Sequence, residues 1–170
     1  DEIPFEHVAF DHPLWVLYSS GTRGLPKPIV HGHGGILLEH VKATALHNDL
    51  RRGDRFFWYS STGWMMWNYV LGSLLSGATI ILYDGSPAYP DLNALFALAE
   101  QSGMTYFGTS AAFINACIKA DLHPNQLYDL SQIRGVGSTG SPLTVDGFAW
   151  IYENINEHLA LESLSGGTDL

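Results

Sequence analysis

Cysteine is almost absent: Cys117 is the only one among 170 residues. A lone thiol closes no internal disulfide, which fits a reducing, cytoplasmic compartment. Basic residues are scarce too, 8 Lys and Arg against 17 Asp and Glu, for a formal net charge of −9. A nucleic-acid footprint needs a basic patch, and none is visible. Nucleic acid is therefore not an expected partner, and an anionic ligand has to be bound locally, against the overall field. Charged residues make up only 15%, below the roughly 25% of ordinary soluble domains. No apolar run approaches the ~20 residues of a membrane span, and no signal peptide opens the sequence. Repeats, low-complexity tracts and linkers are missing as well. Residue 1 is Asp rather than Met, and the last residues are the small polar cluster "SGGTDL". The sequence reads as an excerpt, with residues 1–170 a single partial domain.

What is present is apolar bulk, 46% hydrophobic and 12% aromatic, enough to bury a sizeable core. Strand-like runs recur at 14–19 ("LWVLYS"), 55–60, 78–84, 104–110, 133–138 and 159–164. Between them lie stripes at helical spacing: Leu37, Val41 and Ala45; Leu92, Leu95, Phe96 and Ala99; Ala112, Phe113, Ala116 and Cys117; Val145, Phe148, Ile151, Tyr152 and Ile155. Asp91 is a candidate cap for the second helix, and Ser141–Pro142 reads as N-cap and first helical residue of the last. Alternation of this kind predicts an α/β fold with a largely parallel sheet flanked by helices. Candidate breaks are the loops at 84–91 and 121–129.

Ligands of such sheets bind in loops beyond the carboxyl ends of strands. Three clusters of Gly, Ser and Thr fall at predicted strand ends, at 19–24, 137–142 and 165–169, and the aromatic "STGWMMWN" (61–68) follows another strand. In "YSSGTRGLPKP" (18–28), small residues let backbone N–H groups approach phosphate oxygens, hydroxyls add donors, and Lys27 adds a point charge. It is not a Walker loop, because Lys27 follows Pro26 rather than Gly. "GVGSTG" (135–140) matches G-x-G-x-x-G, with Glu162 about 20 residues on, as a dinucleotide-binding unit would have it. An NAD(P)-binding domain is thus a rival reading. Thr168 and Asp169 pair a hydroxyl with a carboxylate, suited to a phosphate and a Mg²⁺ ion. His31 and His33 lack further ligands at metal spacing and read as loop histidines, Cys117 as buried and inert, and "RRGDR" (51–55) as a solvated turn.

The order of these clusters resembles the adenylate-forming acyl-CoA synthetases, within the AMP-binding superfamily. "YSSGTRGLPKP" resembles their phosphate loop, "GSTGSPL" (137–143) their adenine-side motif, and "SGGTD" (165–169) the motif that ends in Thr-Glu. The context "FDHPLWVLYSSGT", "PIVHGHGG" and "STGWMMWN" is most similar to the acetyl-CoA synthetase branch. The resemblance implies the middle of a large N-terminal domain in a two-step ligase. In the reaction it implies, an acid, expected to be acetoacetate, would attack the α-phosphate of ATP, and coenzyme A would then displace AMP. It implies that Ser19, Ser20, Gly21, Thr22, Gly24 and Lys27 hold the β- and γ-phosphates, and that Gly140, Ser141 and Pro142 lie beside adenine. Thr168 would contact the α-phosphate and Asp169 would hold Mg²⁺. Acetate-using relatives carry tryptophan where this chain has Gly166, so a longer acid is expected here. Trp64 and Thr139 would line the acyl pocket, with Thr139 as donor to the ketone. Arg23 replaces a small residue and Asp169 a longer glutamate, so weaker adenylation and water-mediated metal contact are expected. The family's ribose-binding aspartate, hinge and adenylation lysine fall beyond residue 170, so this piece alone is expected to be inactive.

Overall fold

The computed structural model describes residues 3–19 and 24–166. Its first elements are β1 (Pro13–Tyr18), β2 (Pro28–Gly32) and α1 (His33–Lys42), which continues into a π-helical turn, Ala43–His47. Then come β3 (Arg55–Trp58), α2 (Met65–Gly72), β4 (Thr79–Ile81), α3 (Ala94–Ser102), β5 (Tyr106–Ser110), α4 (Ala111–Lys119), β6 (Gly135–Thr139), α5 (Val145–Asn154) and β7 (Ala160–Ser163). Five strands form one sheet in the order β4-β3-β5-β6-β7, and every neighbouring pair is parallel. The expected α/β architecture is thus observed. Because both faces are covered, the central strands are buried without a break, as in "FFW" of β3 and "YFGT" of β5.

The alternation of side chains sorts this apolar content into two layers. Phe57, Phe107 and Val136 face the larger cluster, with Phe96, Phe113, Trp150 and Ile151 from α3, α4 and α5. Phe56, Trp58 and Tyr106 face the other side, with Leu50 and Val70. On that side the rings lie across glycines. A Cβ on Gly137 would stand 2.5 Å from Trp58 Cη2 and 2.7 Å from Tyr106 Oη, and one on Gly135 2.5 Å from Tyr106 Cδ2. The G-x-G of "GVGSTG" therefore lies inside β6, beneath aromatic rings, and not in a strand-to-helix turn. This departs from the dinucleotide-binding expectation, whose glycines belong in the turn.

Other expectations need correction. α5 is capped by Thr144, whose hydroxyl accepts from Gly147 N at 3.2 Å, so Ser141 and Pro142 belong to the preceding loop. Asp91 accepts from Asn93 N at 2.7 Å and forms a turn ahead of α3 rather than its cap. Two elements fall outside the expected set, β2 and α2. The stripe of Leu37 and Val41 is not a core face: these residues are 49% and 41% exposed. Instead α1 and its π-turn bury Gly34, His40 and Thr44. Phe10 lies where a Gly34 Cβ would project, so glycine admits the ring. Among the described residues no helix is long and apolar enough to cross a membrane.

Candidate active site

The carboxyl rim of the sheet gathers one group of expected site residues. β7 runs out as Leu164, Ser165 and Gly166, and this exit is tied to β6: Leu164 N donates to Ser138 O at 2.8 Å. Thr139 Oγ1 donates to Leu164 O at 3.1 Å, and Leu143 N to Ser163 Oγ at 3.2 Å. A Cβ on Gly166 would stand 3.5 Å from Met65 Cε, an ordinary contact with the first residue of α2. Trp64, directly before that helix, is 70% exposed. The structure thus brings Met65 and Gly166 together, with Thr139 bonded to the same strand exit, and records no contact of Trp64 with either. Gly140, Ser141 and Pro142 are exposed in the loop after β6, where Gly140 takes a left-handed φ of 89°.

Ser19, Gly24 and Lys27 flank the strands of a different sheet. β1 pairs antiparallel with β2, so their loop closes a two-stranded ribbon and does not extend a strand of the parallel sheet. Its ends are pinned by Ser19 N donating to Lys27 O at 3.0 Å and Lys27 N to Ser19 Oγ at 3.4 Å. Gly24 has φ 121°, and Lys27 is exposed. Among the described residues no hydrogen bond joins 19–27 to 137–166. Ser20, Gly21, Thr22, Arg23, Thr168 and Asp169 lie outside the described residues.

Directly below the rim lies a polar network that the sequence did not announce. Glu162 Oε2 accepts from Asn48 Nδ2 at 2.6 Å and from the Tyr106 hydroxyl at 3.1 Å. The same Asn48 Nδ2 lies 3.0 Å from Tyr106 Oη, and the Tyr69 hydroxyl donates to Asn48 Oδ1. Burial pushes the Glu162 carboxyl above the ordinary carboxylate range, although the bonds from Tyr106 and Asn48 pull the other way. Burial also pushes the Tyr69 and Tyr106 hydroxyls up, so both stay neutral donors. Glu162 is therefore engaged inside the fold and is not presented to a ribose, a second departure from the dinucleotide reading.

At the opposite, amino-terminal edge, Asp54 is bonded by Arg134, by Thr105 Oγ1 at 3.0 Å and by Arg51 N at 2.6 Å. Burial would raise its carboxyl, yet the Arg134 guanidinium with the Arg51 and Thr105 donors holds it below the usual range. The Asp54 side chain is only 11% exposed, so "RRGDR" is not a wholly solvated turn. His31 lies in β2, not a loop, and accepts from Trp15 Nε1 at 3.0 Å. His33 begins α1, 2.9 Å from His12 O. Among the described residues no three His, Cys, Asp or Glu side chains form a metal-ligand group. Cys117 is buried and its thiol is pushed up to about 12 by desolvation, matching the expected inert role.

A parallel, helix-covered sheet with small polar loops at its carboxyl rim is an α/β architecture whose ligands bind at that rim. Comparison with known proteins narrows that class. The family described as AMP-binding enzyme matches residues 2–163, and the chain belongs to that family. It is 49% identical over 166 residues to acetoacetyl-coenzyme A synthetase of Rhizobium meliloti (strain 1021), covering 98% of this chain and 26% of the relative. It is 41% identical over 169 residues to acetoacetyl-CoA synthetase of Danio rerio, covering 99% of this chain and 25% of the relative. A solved structure of acetoacetyl-CoA synthetase from Streptomyces lividans superposes with a TM-score of 0.94 at 57% identity, over 99% of this chain and 27% of that one. The chain thus spans about a quarter of the length of these relatives.

Proposed function

We propose that this chain is the central part of an acid–thiol ligase that adenylates acetoacetate with ATP and passes the acyl group to coenzyme A. The products are acetoacetyl-CoA, AMP and pyrophosphate. The observation that carries the reading is the facing of Met65 and Gly166, with Thr139 bonded to the same strand exit. This supports an acyl site at the strand exit, in a chain similar to proteins that bear the name acetoacetyl-CoA synthetase.

The proposed division of labour follows the chemistry of each group. Ser19, Ser20, Gly21, Thr22 and Gly24 offer hydroxyl and backbone donors to the β- and γ-phosphates, and Lys27 adds positive charge as pyrophosphate departs. Gly140, Ser141 and Pro142 leave an open shelf for adenine. Thr168 donates to the α-phosphate. Asp169 is a hard oxygen donor suited to Mg²⁺, which when bound would neutralise phosphate charge. Gly166 leaves beside Met65 the space that a larger side chain would fill, and so room for a longer acid. Thr139 already donates its hydroxyl hydrogen to Leu164 O, so donating to the ketone of acetoacetate requires exchanging that partner.

Hydroxylamine capture on the full-length enzyme tests the reading. Acetoacetate with ATP and Mg²⁺ should yield the acyl hydroxamate without coenzyme A. ATP binding without hydroxamate would indicate a non-catalytic nucleotide binder. NAD binding in place of ATP binding, read by calorimetry, would restore the dinucleotide alternative.

A further inference from the structure

Glu162 has no role in the proposed chemistry, yet it is the common acceptor of a closed network. Two donors converge on one oxygen, from Asn48 at 2.6 Å and Tyr106 at 3.1 Å, and Tyr69 holds the far side of Asn48. These groups come from four places: the end of the π-turn, α2, β5 and β7. Tyr69 lies one helical turn beyond Met65 on α2, so the two share a helix face. Glu162 lies on β7, the strand that exits into Leu164–Gly166. The network therefore connects, from below, the start of α2 and the exit of β7, which meet at Met65 and Gly166.

We propose that Glu162 is a positioning residue that holds the start of α2 and the exit of β7 in fixed register, and so sets the geometry of the acyl site. The proposal rests on the acid-binding role given to that site. Its chemistry is economical: removing the carboxylate takes away the acceptor of the Tyr106 hydroxyl and leaves the Asn48 amide with Tyr106 Oη as its remaining acceptor, both groups in a buried layer. Those groups would reorient, and α2 and β7 would lose their shared anchor. The other groups facing this carboxylate are His47, whose charge would lower its pKa, and the Tyr69 and Tyr106 hydroxyls, which remain neutral. Glutamine keeps one acceptor oxygen at the same reach and should preserve the register.

The test uses the full-length enzyme with Glu162→Ala and Glu162→Gln. The alanine variant is expected to raise KM for acetoacetate by about tenfold or more, since sub-ångström misplacement of a reacting group is costly. Its KM for ATP should move far less, and glutamine should restore most of the loss. Hydrogen exchange supplies a readout that needs no turnover: in Glu162→Ala, amides of 64–68 and 163–166 should exchange faster while α4 keeps its protection. Unchanged acetoacetate KM in Glu162→Ala overturns the proposal, as does a loss of kcat alone with KM fixed or an equal defect in both variants. If the wild-type enzyme makes no acyl-adenylate, the ligase reading falls; the exchange pattern then decides the register claim, surviving if it is seen and failing if it is not.

Discussion

Replacing Gly137 by alanine probes how the sheet is built around its aromatic rings. The added methyl would meet Trp58 Cη2 and Cζ3 at 2.5 Å and Tyr106 Oη at 2.7 Å. Ordinary van der Waals contact begins about an ångström further out. Neither ring has room to retreat: Trp58 is 4% exposed and Tyr106 1%, and Phe56 stacks on Tyr106 with centroids 5.0 Å apart. Overpacking of a well-filled core costs about 1–3 kcal/mol. Displacing Tyr106 also strains its bond to Glu162, a bond to a charged acceptor of the kind that contributes about 1.5–3 kcal/mol. The two losses share one ring and do not add fully, so a net cost of about 2–4 kcal/mol is expected. Urea denaturation of full-length wild type and variant reads this as a lower midpoint. Gly35→Ala is the matched control: nothing lies within 4 Å of its Cβ direction and it sits in α1, so the same methyl should be neutral or stabilise by up to about 1 kcal/mol. An unchanged midpoint for Gly137→Ala together with lost NAD affinity would refute the argument and make "GVGSTG" a dinucleotide turn after all.

Three further outcomes follow from the same geometry. Asp54 is held below its ordinary pKa, so its contribution is present above the unfolded-state value and is lost as pH falls through the folded one. Asp54→Asn should therefore flatten the acid limb of stability and cost about 2 kcal/mol at neutral pH, a buried-pair value reduced because Arg134 is 35% exposed; denaturation midpoints at acid and neutral pH check it. Thr144→Ala should cost about 1 kcal/mol through its lost bond to Gly147 N, whereas Ser141→Ala should leave the midpoint unchanged. Gly166→Trp in the full-length enzyme should lower kcat/KM for acetoacetate by about a hundredfold while sparing acetate, because the indole would take the space beside Met65 that the proposed acyl site offers the longer acid; hydroxamate assays with both acids measure the ratio.

The sheet was legible because its strands are buried on both faces and appear as unbroken apolar runs, with helical spacing between them. The missed elements lacked those marks. β2 is five residues, "PIVHG", led by proline, and among the described residues it pairs with β1 alone. α2 starts behind Trp64, which supplies no side-chain cap, so "STGWMMWN" reads as a loop although a helix begins at Met65. Leu37 and Val41 carry helical period yet face outward, since periodicity marks an apolar face without naming what it packs against. Three clusters were legible as small and polar, but the first is flanked by strands of a separate two-stranded sheet, while the described parts of the other two, 137–142 and 165–166, follow strands of the parallel sheet. The serine-rich loop closes a separate ribbon because strand pairing is a long-range property that no local window contains.

Glu162 shows how a correct pattern yields a wrong role. Glycines followed at a distance by an acid satisfy the dinucleotide fingerprint in letters, and both features are structurally required here, but for each other. Tyr106 brings its hydroxyl to Glu162 only because Gly137 has no side chain in its path. The glycine and the carboxylate are thus two ends of one packing arrangement that runs through an aromatic ring. That ring lies against Trp58 and Phe56, and its hydroxyl meets the Asn48 that Tyr69 of α2 also binds. The motif therefore acts on the rim from beneath: a glycine strand admits the rings, a ring hydroxyl anchors the acid, and the acid fixes the strand exit where Gly166 faces Met65.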